Sequence, residues 1–115
     1  MSTHPTDRPP TALVAQARNQ SAVEVLRDYA DLPAPTLIAR PHVVHVIVTD
    51  VEDLDSWRLA RGGRITVAYS PDGELETWTL HTATEPGRYG TVAVLVSTLM
   101  PTGEMVRDEI RAAVI

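Results

Sequence analysis

His42 and His45 stand three residues apart, a spacing that can hold a metal ion when both side chains reach the same side of the backbone. They open the run His42-Val-Val-His-Val-Ile-Val-Thr49, whose β-branched content argues for a strand. Residues three apart in a strand point to opposite faces, so this pair does not share one ion. His81, with Glu76 or Asp50, could complete a set only if the fold gathers them, and structural histidines are the simpler reading.

A second candidate is the acidic run Asp50-Val-Glu52-Asp53-Leu-Asp55. A calcium loop of the EF-hand type needs Gly at its sixth position and Glu at its twelfth. Counted from Asp50, those positions hold Asp55 and Arg61. The same acids are accounted for by a helix start, with Asp50 as cap and carboxylates near the positive end of the helix. Glu74, Glu76 and Glu85 could supply a carboxylate pair for acid–base chemistry, but no spacing fixes their separation. Phosphate-loop, dinucleotide and serine-hydrolase signatures do not occur. No catalytic residue, metal or cofactor is assigned.

Arg61-Gly-Gly-Arg64 invites a nucleic-acid reading, and Arg107 with Arg111 add a possible basic stripe. The chain carries a net charge of −5, however, and nucleic-acid affinity rests largely on neutralising phosphates. Direct nucleic-acid binding is therefore disfavoured, and the Gly pair reads as a helix terminator.

The remaining chemistry is that of contact surfaces. Trp57 and Trp78 are the two tryptophans. Burial is the default for both, yet Trp and Arg are also enriched at the energetic centres of interfaces. Trp78, Leu80 and Glu76, with Arg64 nearby, form the expected partner-binding face, on the hairpin geometry set out next.

That geometry comes from Arg64 to Thr82, two alternating runs around Ser70-Pro71-Asp72-Gly73. Pro71 presets one turn dihedral, Asp72 can bond local backbone, and Gly73 accepts a left-handed conformation. A turn closed by a Gly bulge pairs Tyr69 with Leu75, Val67 with Thr77 and Thr66 with Trp78. Ile65, Val67, Tyr69 and Leu75 are then the core side, and Trp78 and Leu80 share the opposite, half-apolar face.

Around the hairpin, Leu13, Val14, Ala17, Ala22, Val25, Leu26 and Tyr29 follow helical spacing. They predict one helix from about residue 12, or a shorter one capped at Ser21 through Ser21-Ala-Val-Glu24, ending before Pro33 and Pro35. The strand 42–49 follows, then a helix over 51–61 stopped by Gly62-Gly63, the hairpin, and a strand over 91–100. Thr102 is expected to cap a last helix over 103–115. The element order is α-β-α-β-β-β-α, an α+β fold with a four-stranded, mainly antiparallel sheet and helices on one or both faces.

The chain has 115 residues, 43% hydrophobic and 22% charged, and is read as a single domain over 11–115 behind a disordered, proline-rich arm over 1–10. It has no cysteine, no apolar run long enough to span a membrane and no secretory leader, which together predict a cytoplasmic protein. All ten basic residues are Arg and Phe is absent, the bias of a GC-rich genome and hence of a bacterium or phage.

The two strands Val43–Val48 and Val92–Leu99 are apolar on both sides. Three helices could cover both faces in a three-layer arrangement; alternatively helices cover one face and a second molecule the other. The expected function is a small non-catalytic, self-associating interaction module with a regulatory or accessory role. Its partners are a second copy as a homodimer, or another protein, without a membrane. The alternative is a small-molecule-binding protein or small enzyme with a pocket between sheet and helices, using His45, His81, Tyr69 or Glu76.

Overall fold

A computed structural model describes residues 11–88 and 90–115. The arm expected over residues 1–10 lies outside the described residues. Helix α1 (Ala12–Ala30) is the longer of the two expected alternatives. Thr11, rather than Ser21, caps it, its hydroxyl accepting from the Val14 N–H at 3.2 Å. Asp31 ends it in a left-handed conformation, φ 52°, before Pro33 is reached.

The next element adds a strand to the expected four. Strand β1 (Thr36–Ala39) forms a tight antiparallel hairpin with β2 (Val44–Ile47). Helix α1 holds this hairpin's turn: Asn19 Nδ2 donates to the carbonyls of Arg40 and Pro41, and Gln16 Nε2 donates to that of Ala39. These contacts supply partners for turn carbonyls that no strand can reach.

Helix α2 (Val51–Arg61) has the expected caps. The Asp50 carboxylate accepts from the Asp53 N–H at 2.9 Å, and Gly62 closes the helix at φ 76°. Trp57 is buried and donates its indole N–H to the Pro33 carbonyl at 2.7 Å. Strands β3 (Arg64–Tyr69), β4 (Leu75–Ala83) and β5 (Ala93–Pro101) follow as an antiparallel meander. Strand β2 runs parallel to β5, so the sheet has five strands in the order β1-β2-β5-β4-β3 and is mixed. The expected four-stranded sheet is thus corrected within the same α+β class.

The hairpin register is also corrected, by one residue. Val67 faces Trp78, Ile65 faces Leu80 and Tyr69 faces Glu76. The loop is longer than a four-residue turn because side chains take over backbone bonding. The Ser70 hydroxyl accepts from the Leu75 N–H at 3.1 Å, and the Asp72 carboxylate accepts from the Glu74 N–H at 3.0 Å and the Ser70 hydroxyl at 2.5 Å. Those bonds, the Ser70 hydroxyl first, hold the Asp72 carboxyl below its ordinary range. Since side chains alternate, a one-residue slip moves all of β4 to the other face. Trp78 and Leu80 thereby join Ile65 and Val67 in one apolar set.

The last helix is short. Only Asp108–Arg111 (α3) is helical, because Thr102 is tied to the β3–β4 loop, its N–H donating to the Glu74 carbonyl and its hydroxyl to the Gly73 carbonyl. The chain then runs along the β3 edge, where Ile65 N–H donates to Ala113 and Ile115 N–H to Ile65. That pairing covers edge groups that would otherwise stay open.

One core results. Val44, Val46, Val94, Val96, Trp78, Leu80 and Ile65 project from one face of the sheet onto Val23 of α1, Leu54 and Trp57 of α2, and Ile110 of α3. Full burial of each large aliphatic here stabilises the fold by about 1.5–3 kcal/mol. Both long helices and α3 lie on this side, so the three-layer alternative does not hold.

Candidate functional site

Among the described residues, the opposite face of the sheet carries no helix. Its composition follows from strand alternation, because the partners of each core residue lie in core rows and their neighbours in outer rows. One outer row reads Arg64, His81, Leu95, His45, Ile38 across all five strands. The next reads Thr66, Thr79, Ser97, Ile47, Thr36, and a third Ala68, Thr77, Leu99. Leu99 is 59% exposed and Ile47 46%, and Ile38 and Leu75 are also open. The face is therefore mixed, its open Leu and Ile side chains standing among Thr, Ser and His.

Two properties set it apart from ordinary surface. Among the described residues, no strand residue on this face is an Asp or Glu, although the chain has 15 of them. Four of its polar side chains are also paired with each other. The Thr66 hydroxyl and His81 Nε2 lie 2.9 Å apart, and the hydroxyls of Thr79 and Ser97 lie 3.2 Å apart. A polar group that already has a partner in the sheet costs far less to cover than one that must be stripped of water.

Backbone geometry fixes the Arg64 end of this face. Gly63 has φ 111°, and a Cβ there would lie 2.2 Å from the His81 carbonyl oxygen. Only glycine lets β3 begin this close to β4.

The residues expected from sequence to bind a partner divide between the two sides. Arg64 is exposed on the uncovered face. Trp78, Leu80 and Glu76 are 1%, 0% and 8% exposed, on the helix side. The Trp78 indole N–H donates to Glu76 Oε1 at 3.2 Å, and the Arg111 guanidinium stands 5.6 Å from the centre of its ring. The register slip explains the discrepancy, since it exchanged the two faces of β4. The residues that the strands bring together on the uncovered face are Leu95, Leu99, Ile47 and Thr66. The signal for Leu95, Leu99 and Ile47 lies in the two-sided apolarity of β2 and β5.

The basic patches do not form. Arg58 pairs with the buried Asp55 at 2.6 Å, Arg61 with Glu85 at 3.2 Å, and Arg107 with Glu52 at 2.7 Å. The residues of the pocket alternative do not converge either. His45 and His81 sit on the uncovered face with Leu95 between them, Glu76 is on the helix side, and Tyr69 is exposed at the end of β3. His42 is exposed in the β1–β2 turn. Among the described residues, no group of three or more His, Asp or Glu side chains could hold a metal ion.

A groove of 960 Å³ does exist elsewhere, between α1 and the connection that follows β4. Ala22, Val25, Leu26 and Tyr29 form one wall, and Pro86 and Val92 the other. Its volume suits a small organic ligand. No described helix is long and apolar enough to cross a membrane. Comparison with protein-family models, curated proteins and solved structures returns no match.

Proposed function

We propose that this chain is a small non-catalytic protein–protein interaction module, with a regulatory or accessory role in the cytoplasm of a bacterium or phage of GC-rich genome. Its working surface is the helix-free face of the sheet. The observation that carries this reading is the combination on that face of open Leu and Ile side chains, two mutually bonded pairs of hydroxyl and imidazole groups, and, among its described strand residues, no carboxylate. Such a face loses little on being covered and gains apolar burial. The genome assignment rests on the exclusive use of Arg among the basic residues.

The test is site-specific photo-crosslinking in the native cell, with the reactive group at position 99 on the sheet or at position 25 on α1. Adducts from position 99 and none from position 25 are expected. Adducts from position 25 alone would move the working surface to the groove.

That groove supports the second reading, a small-molecule-binding protein, because its apolar walls enclose a ligand-sized space. His45, His81, Tyr69 and Glu76 do not line it, and it is read as a binding site rather than a catalytic one.

A further inference from the structure

We infer that the occupant of the uncovered sheet face is a second copy of this chain, packed face to face about a two-fold axis near β5. This rests on the reading of that face as the working surface and names its partner.

Size is the first argument. Strands of four, four, six, nine and nine residues, at about 3.3 Å per residue and about 4.8 Å between strands, present roughly 500 Å² of sheet per copy. Two such faces bury on the order of 1,000 Å² before side-chain relief is counted, which reaches the floor of about 1,000 Å² for a biological interface, and side-chain relief adds to it.

Charge is the second. Each copy carries −5, so two copies repel unless they meet where the acids are absent. The helix-free face is that place: its described strand residues include no carboxylate, and the one guanidinium, Arg64, lies on the edge strand β3 where a rim charge stays in water. A basic partner would find no acid to pair with there, and an acidic one only that rim arginine. A neutral face on a charged protein suits its own twin best.

Symmetry is the third. A two-fold contact is made by one patch meeting itself, so its centre must tolerate its own side chains. β5 is the middle strand of five, and it presents Leu95, Ser97 and Leu99 to this side. Sheets packed in this way keep their strands within about 30° of each other and about 10 Å apart, room enough for two Leu layers to interleave.

The test is molar mass by light scattering after size exclusion, from about 1 µM to about 1 mM, on the full chain and three variants. Leu99→Glu and Ile47→Glu each place a carboxylate on the face at an exposed position. Val25→Glu does the same on α1. Circular dichroism reports whether each variant keeps its fold. The expected result is a species of twice the 12.6 kDa chain mass for the wild type and Val25→Glu. Both sheet variants should be monomeric with unchanged spectra, their dissociation constants raised at least 100-fold. A wild type that stays monomeric throughout overturns the inference. So does a dimer that survives both sheet substitutions. If the wild type is monomeric while position 99 still crosslinks to a different protein, the second copy is wrong and the interaction surface stands. If position 99 crosslinks to nothing, both fail.

Discussion

The Thr66 hydroxyl and the His81 Nε2 lie 2.9 Å apart across the β3–β4 ladder, on the side of the sheet that no described helix covers. A bond in this place gives the imidazole nitrogen a partner before anything docks on the face. Thr66→Val keeps the shape and removes the partner. In the free chain water replaces the lost bond, and stability should change by less than about 1 kcal/mol. Under a partner that nitrogen is dry and unpaired, at a cost of about 1–3 kcal/mol, so the dissociation constant should rise roughly tenfold or more. Urea unfolding at a dilution where the chain is monomeric, and sedimentation equilibrium, measure the two effects separately. Equal changes in both would show that the bond serves the fold alone.

Gly63 controls how closely β3 approaches β4. Gly63→Ala meets a positive φ and the His81 carbonyl together, and neither can be relieved by rotating a side chain. The expected loss is about 3 kcal/mol or more, read from chemical denaturation. Gly73, also at positive φ but with open space around its Cβ position, should lose distinctly less on the same substitution. Equal losses would mean that strain in φ, and not the contact with β4, is what matters at Gly63.

Asp72 makes the β3–β4 loop sensitive to acid. Its carboxyl is held below the ordinary value of 3.8 by the Ser70 hydroxyl and then by the Glu74 N–H. A carboxyl depressed in the folded state adds stability that is fully present above its unfolded value and is lost as pH falls through its folded one. The gap in denaturation midpoint between the wild type and Asp72→Asn should therefore be constant above about pH 5 and narrow below about 3.8. A gap that widens in acid would show that the carboxylate does not hold the loop.

How far the chain could be read from its sequence differs element by element. Helix α2 was legible because its ends are written in side-chain chemistry, Asp50 at one end and Gly62 at the other. The β3–β4 turn was legible from Pro71 to Gly73, but its register was not. Ser70 and Asp72 bond Leu75 and Glu74 through their side chains and lengthen the loop. A test of register by apolar matching would have set Ile65 against Leu80 and Val67 against Trp78. β1 is four residues between two prolines, too short for any periodicity to declare it. The last helix had good spacing and failed because Thr102 is bound to the distant Gly73 carbonyl. The uncovered face was half visible. Both sides of β2 and β5 were plainly apolar, but which side the helices take depends on contacts such as Asn19 to Arg40 and Trp57 to Pro33, and these join residues far apart in sequence.

The most direct measurement is an isotope-filtered NOE experiment on a sample mixed from labelled and unlabelled chains, which detects only contacts between copies. The expected result is a set of intermolecular cross-peaks among the methyl groups of Leu95, Leu99 and Ile47, side chains that share the helix-free face. Cross-peaks from Val25 and Leu26 of α1 instead, or none at all, would contradict the assignment of that face as the place where this protein meets its own copy.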